Sequence, residues 1–100
     1  MRWRRAPEPD IGLVRDAVRE LVETDRLDDW LATTPDHALT RLAAPLEMLT
    51  FQYYLDPPRE KHLLRAARVA HDTMSSCLDD CPADLAARFR RLGAVIEGEG

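Results

Sequence analysis

Glycine and cysteine are scarce in this chain, and each shortage removes a class of function. The four glycines never form a G-x-G-x-x-G or G-x-x-x-x-G-K pattern, which excludes the usual phosphate-binding loops. The two cysteines lack the second thiol pair that a four-ligand zinc site needs. No apolar run approaches the roughly 20 residues of a transmembrane helix. We therefore expect no catalytic site, no cofactor, no resident metal and no membrane.

Lysine occurs once, at Lys61, so nearly all the cations are arginines. Together with abundant alanine, leucine and aspartate, this usage predicts a bacterial source with GC-rich codons. The net charge of -4 argues against a surface that binds nucleic acid throughout, although a local basic patch is compatible with it. The basic start is not followed by an apolar segment, so it is not a secretory signal. We expect a cytoplasmic protein with reduced cysteines.

The length and composition predict one globular domain. One hundred residues, 45% hydrophobic and 32% charged, are enough to bury a core without staples. No stretch alternates cleanly at period two, and almost every proline lies between helix-like segments. The predicted fold is all-α, a compact bundle of about five or six helices that are mostly antiparallel neighbours. Residues 10–97 form the bundle, between a flexible basic arm with prolines (1–9) and a tail (98–100).

The first third of the chain predicts two helices. Asp10 can cap the first, whose apolar stripe recurs at helical spacing and comprises Ile11, Val14, Val18, Leu21 and Val22. Thr24 and Asp25 end it, and Asp25 or Asp28 starts a short helix with Leu27, Trp30 and Leu31. The alternative is one continuous helix through Leu31.

The middle of the chain carries one long apolar seam with a proline inside it. Thr34 is the expected N-cap and Pro35 the first helical position. The seam comprises Leu39, Leu42, Leu46, Leu49 and Tyr53. Because Pro45 cannot bond to the carbonyl of Arg41, we predict a helix to about Ala43 and another from Pro45.

The longest predicted helix runs from about Pro58 to Asp80, with an acidic cap before proline. Its seam comprises Leu63, Ala67, Ala70, Met74, Cys77 and Cys81. The small Ala67 and Ala70 would let the helix of residues 46–55 come close.

The last predicted helix follows Pro82. Its core face comprises Leu85, Ala86, Phe89, Leu92, Val95 and Ile96. Gly93 either ends this helix early or permits a close crossing. Arg88 and Arg91 would pass near Asp72 and Asp79.

The segment of residues 46–55, LEMLTFQYYL, is apolar nearly all round. Such a helix must be covered on several sides, so it lies centrally or its spare face meets a partner. The predicted function is a non-enzymatic protein–protein interaction or regulatory module, with a homodimer as one form. The expected interface residues are Trp30, Met48, Phe51, Tyr54 and Leu55. Rings of Phe51 and Tyr54 in open solvent on a lone subunit would contradict the interpretation that this segment is hidden from water on more sides than an ordinary surface helix.

Two alternatives stay open. A small DNA-associated transcriptional regulator would use an arginine arm, Arg2–Arg5, and a basic strip formed by Arg59, Lys61, Arg65 and Arg68. No convincing recognition helix accompanies that strip, because residues 46–55 offer few polar side chains for reading bases.

The second alternative is a thiol or metal site at Cys77 and Cys81, which point the same way from a helix. Both lie on the predicted core seam, where free cysteines are common. His71 and Ser75 share a helix face but lack an oxyanion loop and an orienting acid, so we expect them to be a polar flank.

Overall fold

Five α-helices and one 3-10 turn make up the described part of the chain in the computed structural model, which covers residues 9–34 and 36–98 and only the backbone at 36–39. The elements are α1 (Ile11–Val22), α2 (Asp25–Ala32), α3 (Asp36–Tyr54), α4 (Glu60–Ser75), a 3-10 turn (Leu78–Asp80) and α5 (Ala83–Ile96). No strand occurs within those ranges. The predicted all-α bundle is confirmed.

The two helices of the first third are separate, so the alternative of one continuous helix is wrong. The Asp10 carboxylate accepts from the N–H of Gly12 at 2.8 Å and caps α1 as predicted. Thr24 then takes an extended conformation, and its hydroxyl accepts from the N–H of Arg26. This cap starts α2 at Asp25.

The predicted break at Pro45 is wrong, because α3 runs unbroken from Asp36 to Tyr54 with the proline inside. The seam on both sides of Pro45 is buried, from Leu42 to Tyr53. Packing of that seam outweighs a cost of roughly 3 kcal/mol for a proline in a helix interior. The predicted position of Pro35 lies outside the described residues.

The end of α3 is fixed by side chains of α1. The Tyr53 hydroxyl donates to the Glu23 carboxylate and accepts from Nε of Arg19 at 3.2 Å. Arg15 donates to the carbonyl oxygen of Tyr53 at 3.1 Å, and its guanidinium lies over the ring. Burial and the bond to Glu23 raise the pKa of Tyr53. The bond from Arg15 satisfies one of the carbonyls that the end of a helix leaves free.

The long helix is shorter than predicted at both ends. Its N-cap is Arg59, without a side-chain cap, rather than Asp56. Prolines 57 and 58 lack N–H groups, and a residue before proline avoids helical geometry. At the other end, the hydroxyl of Ser75 donates to the carbonyl of Asp72, and the chain tightens into the 3-10 turn.

The core lies where the predicted seams meet. The helices α3 and α4 pack on each other, as do α1 and α5. Ala67 and Ala70 are fully buried; the placement of residues 46–55 against these two alanines stays a prediction. The largest fully buried side chains are Phe89, Leu21, Leu49, Leu63, Met74, Leu85 and Leu92. Gly98, with φ of +82°, follows α5 in a backbone conformation that favours glycine.

Ion pairs between α1–α2 and α5 set an antiparallel arrangement. Arg26 donates to both oxygens of Asp84 at 2.8 and 2.9 Å. Arg88 donates to the carbonyl of Glu20, and Arg91 to its carboxylate. Arg88 and Arg91 therefore bond to Glu20 of α1, and not to Asp72 and Asp79, which were predicted to be their neighbours.

Candidate protein-binding surface

The outer side of α3 exposes three large apolar side chains. Met48 is 50% exposed, and Phe51 and Tyr54 are each 58% exposed. At about 100° per residue, these positions fall opposite the buried seam of Leu49 and Tyr53. We call the three side chains the apolar face.

The alternative in which α3 lies centrally is wrong, since only the seam and the adjoining Gln52 are buried. The rings of Phe51 and Tyr54 lie in solvent on the single subunit, which is the outcome that contradicts a helix hidden from water on several sides. The other alternative, a spare face that meets a partner, stays a prediction.

A groove between α3 and α4 adjoins the apolar face. Its volume is about 280 Å³. Its lining residues are Pro45, Met48 and Gln52 from α3, and His62, Arg65, Ala66 and Val69 from α4. Val69 is itself 48% exposed. Because Met48 belongs to both features, the apolar surface continues from α3 across the groove to α4.

Gln52 brings an unsatisfied polar group to this groove. Its side chain is buried, and its Oε1 has no hydrogen-bond partner. Its Nε2 donates to the Sδ of Met48 at 3.9 Å. A buried amide oxygen without a donor costs free energy. Because this oxygen is shielded from solvent, a ligand in the groove would reach it only after the side chain moved.

The basic strip predicted from the sequence lies on the α4 side of the groove. Lys61, Arg65 and Arg68 recur at spacings of four and three, so they share one helix face. All three, and Arg59 before them, are exposed. In the described part of the chain, none of these cations forms an ion pair. The Arg2–Arg5 arm lies outside the described residues.

The other predicted interface residues are placed differently. Leu55 follows the end of α3 and is half-buried. Trp30 shares a cleft of about 830 Å³ with Arg41 and Leu42 near the start of α3. Phe51 lies nine residues beyond Leu42, or about 13 Å along the helix. Trp30 is therefore not brought to the apolar face.

Both cysteines line the same cleft as Trp30. They are free thiols, with Cys77 half-buried and Cys81 buried. Burial raises the pKa of Cys77, with Asp80 adding to the effect. Burial, with Cys77 and Asp84, raises the pKa of Cys81 to about 11. Metal binding and nucleophilic chemistry both need the thiolate, which these environments disfavour. Within the described ranges, no group of three or more potential ligands is suited to a metal ion.

His71 and Ser75 do not form a base and a nucleophile. The Ser75 hydroxyl donates to the backbone carbonyl of Asp72 at 2.8 Å. The ring of His71 lies against Gly93 of α5, which confirms the close crossing predicted for that glycine.

Sequence reasoning missed the groove and the role of Gln52. The sequence shows Gln52 only as an interruption in an apolar run. A signal was nevertheless present, since Pro45, Met48 and Gln52 recur at spacings of three and four along the side of the helix where the apolar face meets the buried seam.

No protein-family model, no curated protein and no solved structure matches this chain. None of the helices in the described ranges combines the length and apolar character needed to cross a bilayer.

Proposed function

We propose that the protein is a non-enzymatic interaction module that binds another protein, or a second copy of itself, through the apolar face and the adjoining groove. The exposure of Met48, Phe51 and Tyr54 on one side of α3 carries this proposal. Single exposed apolar residues are normal on protein surfaces. A contiguous apolar patch is typical of a binding site.

Self-association is the simplest form of this function. Two copies can bury the same patch against each other about a two-fold axis, which is the commonest arrangement of soluble oligomers. The aromatic rings at the centre of such a patch are the side chains that dominate binding energy in protein interfaces. Phe51 and Tyr54 would then be the anchors.

Molar mass in solution tests self-association. We expect light scattering of the wild type over rising concentration to show a shift from monomer to dimer. The variant F51S/Y54S should remain a monomer because it loses both anchors. The matched control is L13S, which removes an exposed apolar side chain of α1 outside the apolar face and should behave as the wild type.

Two results would contradict the homodimer. One is a wild type that stays strictly monomeric at high concentration. The other is a dimer that F51S/Y54S leaves intact. The first leaves a different protein as the only partner, and the second places the interface elsewhere.

A further inference from the structure

The groove between α3 and α4 differs in chemistry from the apolar face, because cations border it on one side. We propose that it binds an acidic amphipathic helix of a partner protein. The partner's apolar side chains would enter the groove, and its carboxylates would meet the basic strip on α4. This inference rests on the proposed function and specifies the partner.

The shape of the groove favours a helix. Its lining spans eight residues on each helix, from Pro45 to Gln52 and from His62 to Val69, or about 10 Å for seven steps of 1.5 Å. That length matches two turns of a bound helix with anchors at i, i+3, i+4 and i+7. A volume of about 280 Å³ lies just under the ~300–1,000 Å³ of small-molecule pockets, so it suits a few side chains. An added strand would need a sheet edge, and the described residues contain no sheet.

Charge selects an acidic partner. Arg65 lines the groove, and Lys61 and Arg68 lie on the same face of α4 without ion pairs in the described part of the chain. Carboxylates on a bound helix would complement these charges and speed association. A two-fold dimer centred on the groove would instead bring two copies of the basic strip to one interface. Like charges there are unfavourable.

The test measures the binding of designed peptides to the full chain by fluorescence anisotropy. The probe is a helical peptide of about five turns, with leucines at i, i+3, i+4 and i+7 and glutamates flanking that stripe. A control peptide has the same leucines with lysines in place of the glutamates. We expect the acidic peptide to bind, the basic one not to bind, and the affinity to fall as salt rises.

Variants locate the site. R65E/R68E should weaken binding of the acidic peptide by about tenfold or more, and it should allow the basic peptide to bind. V69E should block the acidic peptide by placing a carboxylate in the groove. The matched control is R90E, which changes an exposed arginine of α5 and should leave binding within about twofold. Circular dichroism of each variant shows whether the fold is retained.

Three outcomes would overturn the inference. Equal binding of both peptides would show that charge does not select the partner. Binding that R65E/R68E leaves unchanged would place the site elsewhere. Duplex DNA that displaces the acidic peptide and itself binds more tightly, in a salt-dependent way, would assign the strip to nucleic acid.

The two proposals fail in different ways. A dimer that F51S/Y54S abolishes, with no peptide binding, would support the interaction module and refute the acidic partner. A monomer that binds the acidic peptide would support both proposals with a separate partner. A monomer that binds neither peptide would refute both the homodimer and the acidic partner.

Discussion

Gly93 of α5 lies so close to His71 of α4 that no side chain fits between them. A Cβ built at Gly93 would lie at 3.0 Å or less from three atoms of the imidazole ring. The glycine is buried, and the histidine ring is the surface on which α5 crosses α4. A glycine within a helix normally costs stability relative to alanine. Here it permits the approach of the two helices.

Whether a substitution of Gly93 raises or lowers the free energy of unfolding therefore depends on His71. We expect G93A to lower the free energy of unfolding by about 1–2 kcal/mol, because the added methyl group overpacks the crossing. In an H71A background, the same substitution should raise stability by about 0.5–1 kcal/mol, since only the helix propensity of alanine remains. Urea unfolding of the four proteins in this cycle measures both values. A gain in stability for G93A in the wild-type background would show that the imidazole ring of His71 moves aside at little cost.

We expect replacement of Pro45 to stabilise the fold. The residue lies inside α3 and leaves the carbonyl of Arg41 without its helical donor. We expect P45A to raise the free energy of unfolding by about 1–3 kcal/mol, because it restores that hydrogen bond. Thermal or urea unfolding measures the change.

The matched control for P45A is P58A, in the exposed segment between α3 and α4. It interrupts no helix, so it should not raise stability. If P45A leaves stability unchanged or lowers it, the side chain of Pro45 contributes more packing than the missing hydrogen bond costs.

The fold was predictable wherever the capping residues and the helical spacing of the apolar residues indicate the same helix. The stripe of α1 and its Asp10 cap are examples, because both depend on near neighbours in sequence. The passage of α3 through Pro45 was not predictable. It depends on the burial of Leu46 and Leu49 against other helices, and tertiary packing of this kind overrides local preference.

The candidate site was predictable only in part. Met48, Phe51 and Tyr54 stand out as apolar side chains beyond the needs of one seam. The groove could not be predicted, because its lining comes from two helices and the sequence does not specify how they are rotated relative to each other. Trp30 was misplaced for the same reason, since its position depends on how α2 docks rather than on its own helix face.

The Arg26–Asp84 pair predicts a pH dependence of stability. The bidentate bond from Arg26 lowers the pKa of Asp84 below its ordinary value of 3.8 in the folded protein. The folded state thus holds the carboxylate ionised where the unfolded chain would protonate it. This contribution is present above about pH 4 and is lost as the pH falls through the folded pKa. Carboxyl NMR titration should show the low pKa, and R26Q should bring it back towards the ordinary value.

The matched control for R26Q is R68Q. Arg68 forms no ion pair in the described part of the chain, so the pKa of Asp84 should be unchanged by its loss. An Asp84 pKa that R26Q does not alter would assign the shift to the start of α5 rather than to Arg26.

We expect the thiol of Cys81 to react slowly with disulfide reagents in the folded protein. Burial raises its pKa to about 11 from 9.0, which lowers the thiolate fraction at pH 8 roughly a hundredfold. In C77S, whose single thiol is Cys81, we expect a disulfide reagent to react more slowly in the native protein than in denaturant because burial still raises the pKa of Cys81. The difference should be smaller than the roughly hundredfold effect of the wild type, since the contribution of Cys77 to that pKa is lost.

The same shift determines how alkali affects stability. Between pH 9 and about 11, the unfolded chain releases the Cys81 proton while the folded chain keeps it, so stability falls as the pH rises. In C81S this component of the alkaline decline should be absent. The thiol of C81S, the half-buried Cys77, should react faster than that of C77S because it is more exposed. Equal native rates in the two variants would show that Cys81 is not protected by the cleft it shares with Trp30.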